Sequence, residues 1–142
     1  MIYTFLLQIR INHWLKNSLV FLPAISSQKI FQINIFIDSL LTFFAFSFIA
    51  SSIYLVNDLI DVDKDKLHPY KKFRPHAADL IKKETIYLTI IFFTSIGIIL
   101  SLILSFNFFL ILILYAILNF LYFNFFKKII VLDAFILMFF YL

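Results

Sequence analysis

Cysteine is missing from all 142 residues, which removes disulfide bonds, thiolate metal ligands and thiol nucleophiles together. Charge is scarce as well: Asp, Glu, Lys and Arg make up 14% of the chain, with eight acidic residues against twelve basic ones. Cleavage of a secretory leader is not expected, because Arg10 and Lys16 interrupt the opening apolar stretch and no Ala-x-Ala pattern follows. Any chemistry therefore has to come from carboxylates, amides, histidines, lysines and arginines.

What the chain has in abundance is apolar surface. It is 63% hydrophobic with 21 phenylalanines, the balance of an integral membrane protein rather than a soluble domain. A helix of roughly 20 apolar residues crosses the hydrocarbon core, which predicts spans at Ser39–Val56, Thr85–Ser105 and Phe108–Phe126. A fourth, short or tilted, is expected between Asn17 and Ile37, interrupted by Pro23, Lys29 and Asn34; a fifth starts at Ile129 and runs to Leu142. The predicted fold is all-α: a polytopic transmembrane bundle with four complete spans and the start of a fifth, in one domain covering residues 1–142. The abrupt apolar end, Phe-Phe-Tyr-Leu, leads us to expect an incomplete unit.

Ser105-Phe-Asn107 is a tight, uncharged hairpin, whereas the segment 58–83 is long and charged. If four spans precede Lys127, then Arg10–Lys16, Lys64–Lys83 and Lys127–Lys128 fall on one side, with two, seven and two of the twelve basic residues, and Lys29 falls on the other. The positive-inside bias then makes the 58–83 loop cytoplasmic, with a bacterial inner membrane as the expected location. The net charge of +4 reports this topology and contact with lipid headgroups; nucleic acid is not an expected partner.

Four of the eight acids, Asp58, Asp61, Asp63 and Asp65, crowd into the run NDLIDVDKD at residues 57–65. At about 100° per residue, a helix places Asn57, Asp61, Asp65 and Asp58 at roughly 0°, 40°, 80° and 100°, while Asp63 falls near 240° and points away. Three carboxylates on one face repel unless cations hold them, and a hard divalent ion suits oxygen ligands. Mg²⁺ characteristically bridges one or two carboxylates to substrate phosphates. Asn57, Asp58, Asp61 and Asp65 are therefore the candidate metal ligands, set against the plainer reading of a solvated charge run at a helix end. A calcium loop is excluded, because the positions that need Gly and Glu hold Lys66 and Lys72. The following run, HPYKKFRP at 68–75, is open to two readings: a basic patch on anionic lipid, or phosphate capture by Lys71 and Arg74 on a loop stiffened by Pro69 and Pro75.

These residues resemble a family. Asn57-Asp58-x-x-Asp61-x-x-x-Asp65 is similar to the first Asp-rich motif of the UbiA superfamily of intramembrane prenyltransferases. Four blocks in order, Arg10-x-x-x-Trp14-x-Lys16-Asn17, Ser51-Ser-x-Tyr54-Leu-x-Asn57-Asp58, His68-Pro69-x-Lys71-x-x-Arg74-Pro75-x-Ala77-Ala78 and Tyr122 with Lys127 and Asp133, resemble its decaprenyl-phosphate phosphoribosyltransferases. The resemblance covers the N-terminal half of that family. Departures stand at Ile11, His13, His76, Asp79, Phe123 and Phe126; the family has Gly where Asp79 stands, at a loop-to-helix junction where positive φ is often required.

The resemblance implies Mg²⁺-dependent transfer of a phosphoribosyl group from phosphoribosyl diphosphate to a polyprenyl phosphate. Asp58, Asp61 and Asp65 would be catalytic with Mg²⁺; Lys16, Asn17, Tyr54, Lys71, Arg74, Tyr122, Lys127 and Asp133 would contact substrate. Membrane lipids are implied partners, and a C-terminal half or a second copy would complete the bundle. Two alternatives stand beside it: transfer of a polyprenyl group from its diphosphate to an aromatic acceptor at the same site, and an inactive membrane fragment. Asp133 also has a structural reading, a salt bridge to Lys127 or Lys128. Trp14 and Tyr122 are expected in an aromatic belt. His13, His68 and His76 lack metal spacing and are expected in caps or at the surface, and Asn119 is expected to bond a neighbouring helix.

Overall fold

The computed structural model describes residues 2–124; Phe126, Lys127, Asp133 and the expected span at Ile129–Leu142 lie outside the described residues. Within them the chain is helical and has no strand. Short pieces come first: α1 (Ile2–Gln8), a 3-10 turn at Ile11–His13, α2 (Trp14–Asn17), a second 3-10 turn at Ser18–Phe21 and α3 (Leu22–Ser26). Then follow α4 (Ile33–Ile60), α5 (Val62–Leu67), α6 (Lys83–Leu104) and α7 (Phe106–Asn124), with a 3-10 turn at Lys71–Phe73 in the long loop.

Three helices, α4, α6 and α7, are long and apolar enough to cross a membrane. They match the three clear spans of the sequence, although α4 begins at Ile33, six residues before Ser39. The extra span expected between Asn17 and Ile37 is not one helix. Its first part ends at Ser26, Gln28 takes the left-handed conformation (φ 58°), and residues 33–37 belong to α4. Successive Ser26, Ser27 and Gln28 offer no apolar side chain to continue a span, and Ser26 and Ser27 turn their hydroxyls onto the carbonyls of Pro23 and Ala24.

The α4–α6 pair is the centre of the bundle, and small residues let it close. Gly97, the single glycine of the sequence, faces α4 so tightly that a Cβ there would stand 2.7 Å from Ile49 Cγ1 and 3.3 Å from the Ala45 carbonyl oxygen. Ala45 and Ser101 are fully buried, and the Phe48 and Phe93 rings pack 4.9 Å apart. This is the small-residue packing by which membrane helices associate where lipid gives no hydrophobic drive. Helical hydroxyls bond their own backbone, as Thr42 does to Asp38, Ser52 to Phe48 and Thr89 to Thr85, so no polar group faces hydrocarbon unpaired at those positions. α7 joins through Leu112, which is buried, and Tyr115, whose ring lies 4.4 Å from Phe46. The outer faces carry exposed Leu88, Ile91, Phe92, Ile103 and Leu114, an apolar coat that suits lipid and would be a liability in water.

The expected hairpin is present. Ser105 is extended (φ −172°), and its hydroxyl accepts the Phe108 amide at 3.1 Å, capping the start of α7. At the opposite end, the N-terminal pieces are pinned along α4. Trp14 donates its indole N–H to Ser51 Oγ at 2.9 Å, Ser51 donates to the Ile9 carbonyl at 2.8 Å, and Asn17 donates to Ser47 Oγ at 2.9 Å. Trp14 meets Phe43, Phe44 and Phe48 edge-on, so its half-buried ring packs against α4.

Candidate functional site

α4 carries Asn57 and Asp58 in its last turn, and Asp61 is the joint to α5, with φ −93° and ψ 8°. Backbone bonds from Asp61 N to Asn57 O (2.9 Å) and from Asp65 N to Asp61 O (2.8 Å) carry the helical direction across that joint. Asp58 and Asp65, two turns apart, consequently share a side. Their side chains are 6% and 4% exposed, the depth at which two carboxylates persist together only with cations between them.

The cations come from two distant places. Arg74 Nη1 touches both carboxylates, at 3.1 Å from Asp58 Oδ1 and 2.5 Å from Asp65 Oδ2, and Lys71 Nζ lies 3.9 Å from Asp65 Oδ1. The loop is built to deliver them. His68 Nδ1 accepts the Tyr70 and Lys71 amides at 3.2 and 3.3 Å, capping the 3-10 turn, and Arg74 is extended ahead of Pro75 as a residue before proline should be. Asp79 then takes φ 57°, the positive value that the family's glycine would adopt without strain; here Asp tolerates it, and its carboxylate meets Lys66 at 3.0 Å.

Arg10, at the break after α1, also has a left-handed backbone (φ 55°), and its Nη2 lies 2.5 Å from Asp58 Oδ1. Its guanidinium sits 4.6 Å above the Tyr54 ring, a cation–π contact that orients it. Gln8 completes the shell: buried, it donates to Asp58 Oδ2 at 3.4 Å and accepts the His76 amide at 3.0 Å, tying the loop to α1. Gln8 and Arg10 stand 50 and 48 residues from Asp58 and share no periodicity with it, and sequence reasoning did not find them as site residues. Their signal is their polarity at the end of an otherwise apolar opening helix.

The remaining candidates divide. Asp63 is exposed, as its helical angle predicts. Asp61 turns to Lys64 Nζ at 3.2 Å, and Asn57 lines an apolar cavity of about 210 Å³ between α4, α6 and α7 with Ile53, Ile90, Leu112 and Phe123. The four expected ligands thus do not converge: among the described residues, no three His, Asp or Glu side chains form a metal-holding group. The reason is that a 100° arc is wide enough to aim Asn57 into the bundle and Asp58 toward the N-terminal pieces. Asp58 and Asp65 alone fit Mg²⁺ by donor chemistry, two hard carboxylates with a guanidinium already standing as the cation between them.

Lys16, Asn17 and Tyr54 gather with Arg10, His13 and Tyr115 around a small cavity of about 40 Å³ beside the carboxylate pair. Burial first, and then the charges of Arg10 and Lys16, hold the His13 imidazole below its usual pKa. Tyr122 lies on α7 with its ring against Phe123. Lys127 and Asp133 are outside the described residues. Of the other expectations, His68 is a cap, whereas His76 is buried, and Asn119 bonds the Tyr115 carbonyl of its own helix at 2.8 Å.

A decaprenyl-phosphate phosphoribosyltransferase of Corynebacterium glutamicum is 44% identical over 75 residues, covering 51% of this chain and 23% of the relative. One of the same name from Mycobacterium tuberculosis is 35% identical over 83 residues, covering 56% and 28%. An uncharacterized protein, y4nM, of Sinorhizobium fredii is 31% identical over 127 residues, covering 89% and 25%. The aligned stretches span about a quarter of the length of these relatives. Residues 19–142 match the model of the UbiA prenyltransferase family. With its three apolar spanning helices and this match over most of its length, the chain is a multi-pass membrane protein that belongs to the UbiA prenyltransferase family.

Proposed function

We propose that the protein transfers a phosphoribosyl group from 5-phosphoribosyl diphosphate to a polyprenyl phosphate, as part of a complete UbiA-type bundle in a bacterial inner membrane. The observation that carries this reading is the buried Asp58–Asp65 pair threaded with Arg10, Arg74 and Lys71, at the end of the helix whose Asn57 lines an apolar cavity. A reaction between two phosphorylated substrates needs several cations at one place, and a lipid acceptor needs an apolar approach to it. The names of the relatives from Corynebacterium glutamicum and Mycobacterium tuberculosis support the same choice of donor and acceptor.

Mg²⁺ held by Asp58 and Asp65 would supply Lewis-acid neutralisation of the departing diphosphate. Arg74 and Lys71 bind and orient phosphate oxygens on the donor, Arg74 through its planar fork. Lys16, with Arg10 nearby, offers a second cationic surface, which keeps two anionic substrates from repelling each other, and Lys127 is a further candidate phosphate contact. The bond from ribose C1 to the diphosphate oxygen breaks, diphosphate leaves, and a lipid phosphate oxygen bonds to C1. That oxygen is already anionic near neutral pH, so none of these side chains has to remove a proton. Asp61 and Asn57 serve at the margin, Tyr54 holds Arg10 in place, and Tyr122 and Asp133 are further candidate substrate contacts.

Because Arg10, Lys71 and Arg74 meet at one end of the bundle, the N-terminal breaks and the charged loop share a membrane face. The positive-inside bias makes that face cytoplasmic, where a soluble sugar diphosphate is available. The test is transfer of radiolabelled ribose phosphate to polyprenyl phosphate in membranes containing the chain, with Asp58→Asn as control and an isoprenyl diphosphate as competing donor. Magnesium-dependent labelling that is lost in the control supports the proposal. Labelled lipid from the isoprenyl donor and an aromatic acceptor, with none from the sugar diphosphate, would replace it with prenyl transfer.

A further inference from the structure

The negative charge of the carboxylate pair is fully answered by side chains before any ligand reaches it. Asp58 and Asp65 contribute two negative charges, and Arg10 and Arg74 contribute two positive ones at 2.5 to 3.1 Å, with Lys71 farther off at 3.9 Å. A divalent cation entering alone would compete with Arg74 for the same oxygens and leave the cluster with at least two surplus positive charges, and three with Lys71 counted. Surplus charge is costly where the carboxylates are only 6% and 4% exposed. A diphosphate removes that surplus, and its oxygens can accept the hydrogen bonds that Arg74 gives up.

Arg74 is the cation placed to make this exchange. A single nitrogen, Nη1, touches both carboxylates, so one movement frees the two of them. Its side chain is 32% exposed on a surface loop, against 19% for Arg10, which Tyr54 holds in place. We infer that Arg74 is a resident counter-cation that makes divalent-cation binding conditional on a diphosphate, passing from the carboxylates to the diphosphate when both ligands are bound. The inference rests on the reading above that this site takes a diphosphate with a divalent cation. It adds a thermodynamic coupling between the two ligands and assigns that coupling to one side chain.

Coupling of this kind is reciprocal and is measured as a ratio of affinities. The full chain in detergent micelles is titrated with Mn²⁺, followed by the paramagnetic resonance of the free ion, with and without inorganic pyrophosphate. Wild type is expected to bind Mn²⁺ weakly alone and about tenfold or more tighter with pyrophosphate. Arg74→Gln is expected to bind Mn²⁺ alone about tenfold tighter than wild type, with the pyrophosphate enhancement reduced by a similar factor. Arg74→Lys, which keeps the charge, is expected to retain weak binding of the metal alone.

Arg74→Gln that binds Mn²⁺ no better than wild type, with the pyrophosphate enhancement intact, overturns the inference and leaves the proposed function standing. Arg74→Lys that behaves like Arg74→Gln also overturns it, since charge would then not be the cause. If Arg74→Gln does not fold, the wild-type titration still decides, because equal Mn²⁺ affinity with and without pyrophosphate excludes conditional binding. Wild type that binds no Mn²⁺ under either condition overturns the inference and the metal-dependent reading together.

Discussion

The contact between Gly97 and Ile49 sets how closely α4 and α6 approach, and enlarging it tests whether that approach is tight. In Gly97→Val the new Cβ falls 2.7 Å from Ile49 Cγ1 and 2.9 Å from its Cδ1, with the Ala45 carbonyl oxygen at 3.3 Å on the other side. Carbon atoms pack best at about 3.5–4.0 Å, so Ile49 has to retreat by about 1 Å. Ile49 is 6% exposed and has little room to do so. Overpacking of this degree costs about 1–3 kcal/mol, and the better helix propensity of a non-glycine residue returns less than about 1 kcal/mol. Ile49→Ala alone leaves a cavity and costs about 2–5 kcal/mol. Combined, the two changes compensate, because the valine methyls enter the space that the isoleucine vacates. Equilibrium unfolding of the four proteins in micelles should therefore give a double variant about 2 kcal/mol more stable than the sum of the single losses, well beyond the additivity expected of independent sites. Additive losses within about 0.5 kcal/mol would refute close packing at this level of the bundle.

Other outcomes follow from the site. In Mn²⁺ titrations with pyrophosphate, Asp58→Asn and Asp65→Asn should weaken binding more than tenfold, Asp61→Asn less, and exposed Asp63→Asn under about twofold; equal losses at Asp61 and Asp63 would refute the helical-face geometry. Asp79→Gly relieves a positive φ worth about 1–2 kcal/mol and loses a surface ion pair worth under about 1 kcal/mol, so its melting temperature should hold or rise, while Asp79→Val should melt lower. His13 is harder to protonate when folded, so the unfolded chain binds more protons below the usual histidine pKa, and stability should fall as pH drops from about 6.5 toward the lowered folded value. His13→Asn should flatten that part of the pH profile, and an unchanged slope would place the titration elsewhere.

The sequence was most legible where physics is local. Long apolar runs located α4, α6 and α7 to within a few residues, apart from the earlier start of α4 at Ile33, since span length follows from bilayer thickness whatever the neighbours are. The helical period put Asp58 and Asp65 on one side and turned Asp63 outward. It overstated the cluster, because a joint at Asp61 and a wide arc send Asp61 to Lys64 and Asn57 to the apolar cavity. Trp14 shows the same boundary: its hydrogen bond to Ser51 and its contacts with three phenylalanines of α4 were not legible along the chain.

By itself, then, the sequence determined a helical membrane protein with a cation-demanding acidic face, because hydropathy and periodicity depend only on neighbours along the chain. Tertiary structure alone decided which cations answer that demand. Arg10 and Gln8 reach Asp58 across about 50 residues, and Arg74 closes on both carboxylates from a loop shaped by a capping histidine and a left-handed aspartate. Such contacts depend on how helices approach and where the backbone breaks, and the small residues of the α4–α6 seam with the positive φ of Arg10 set both.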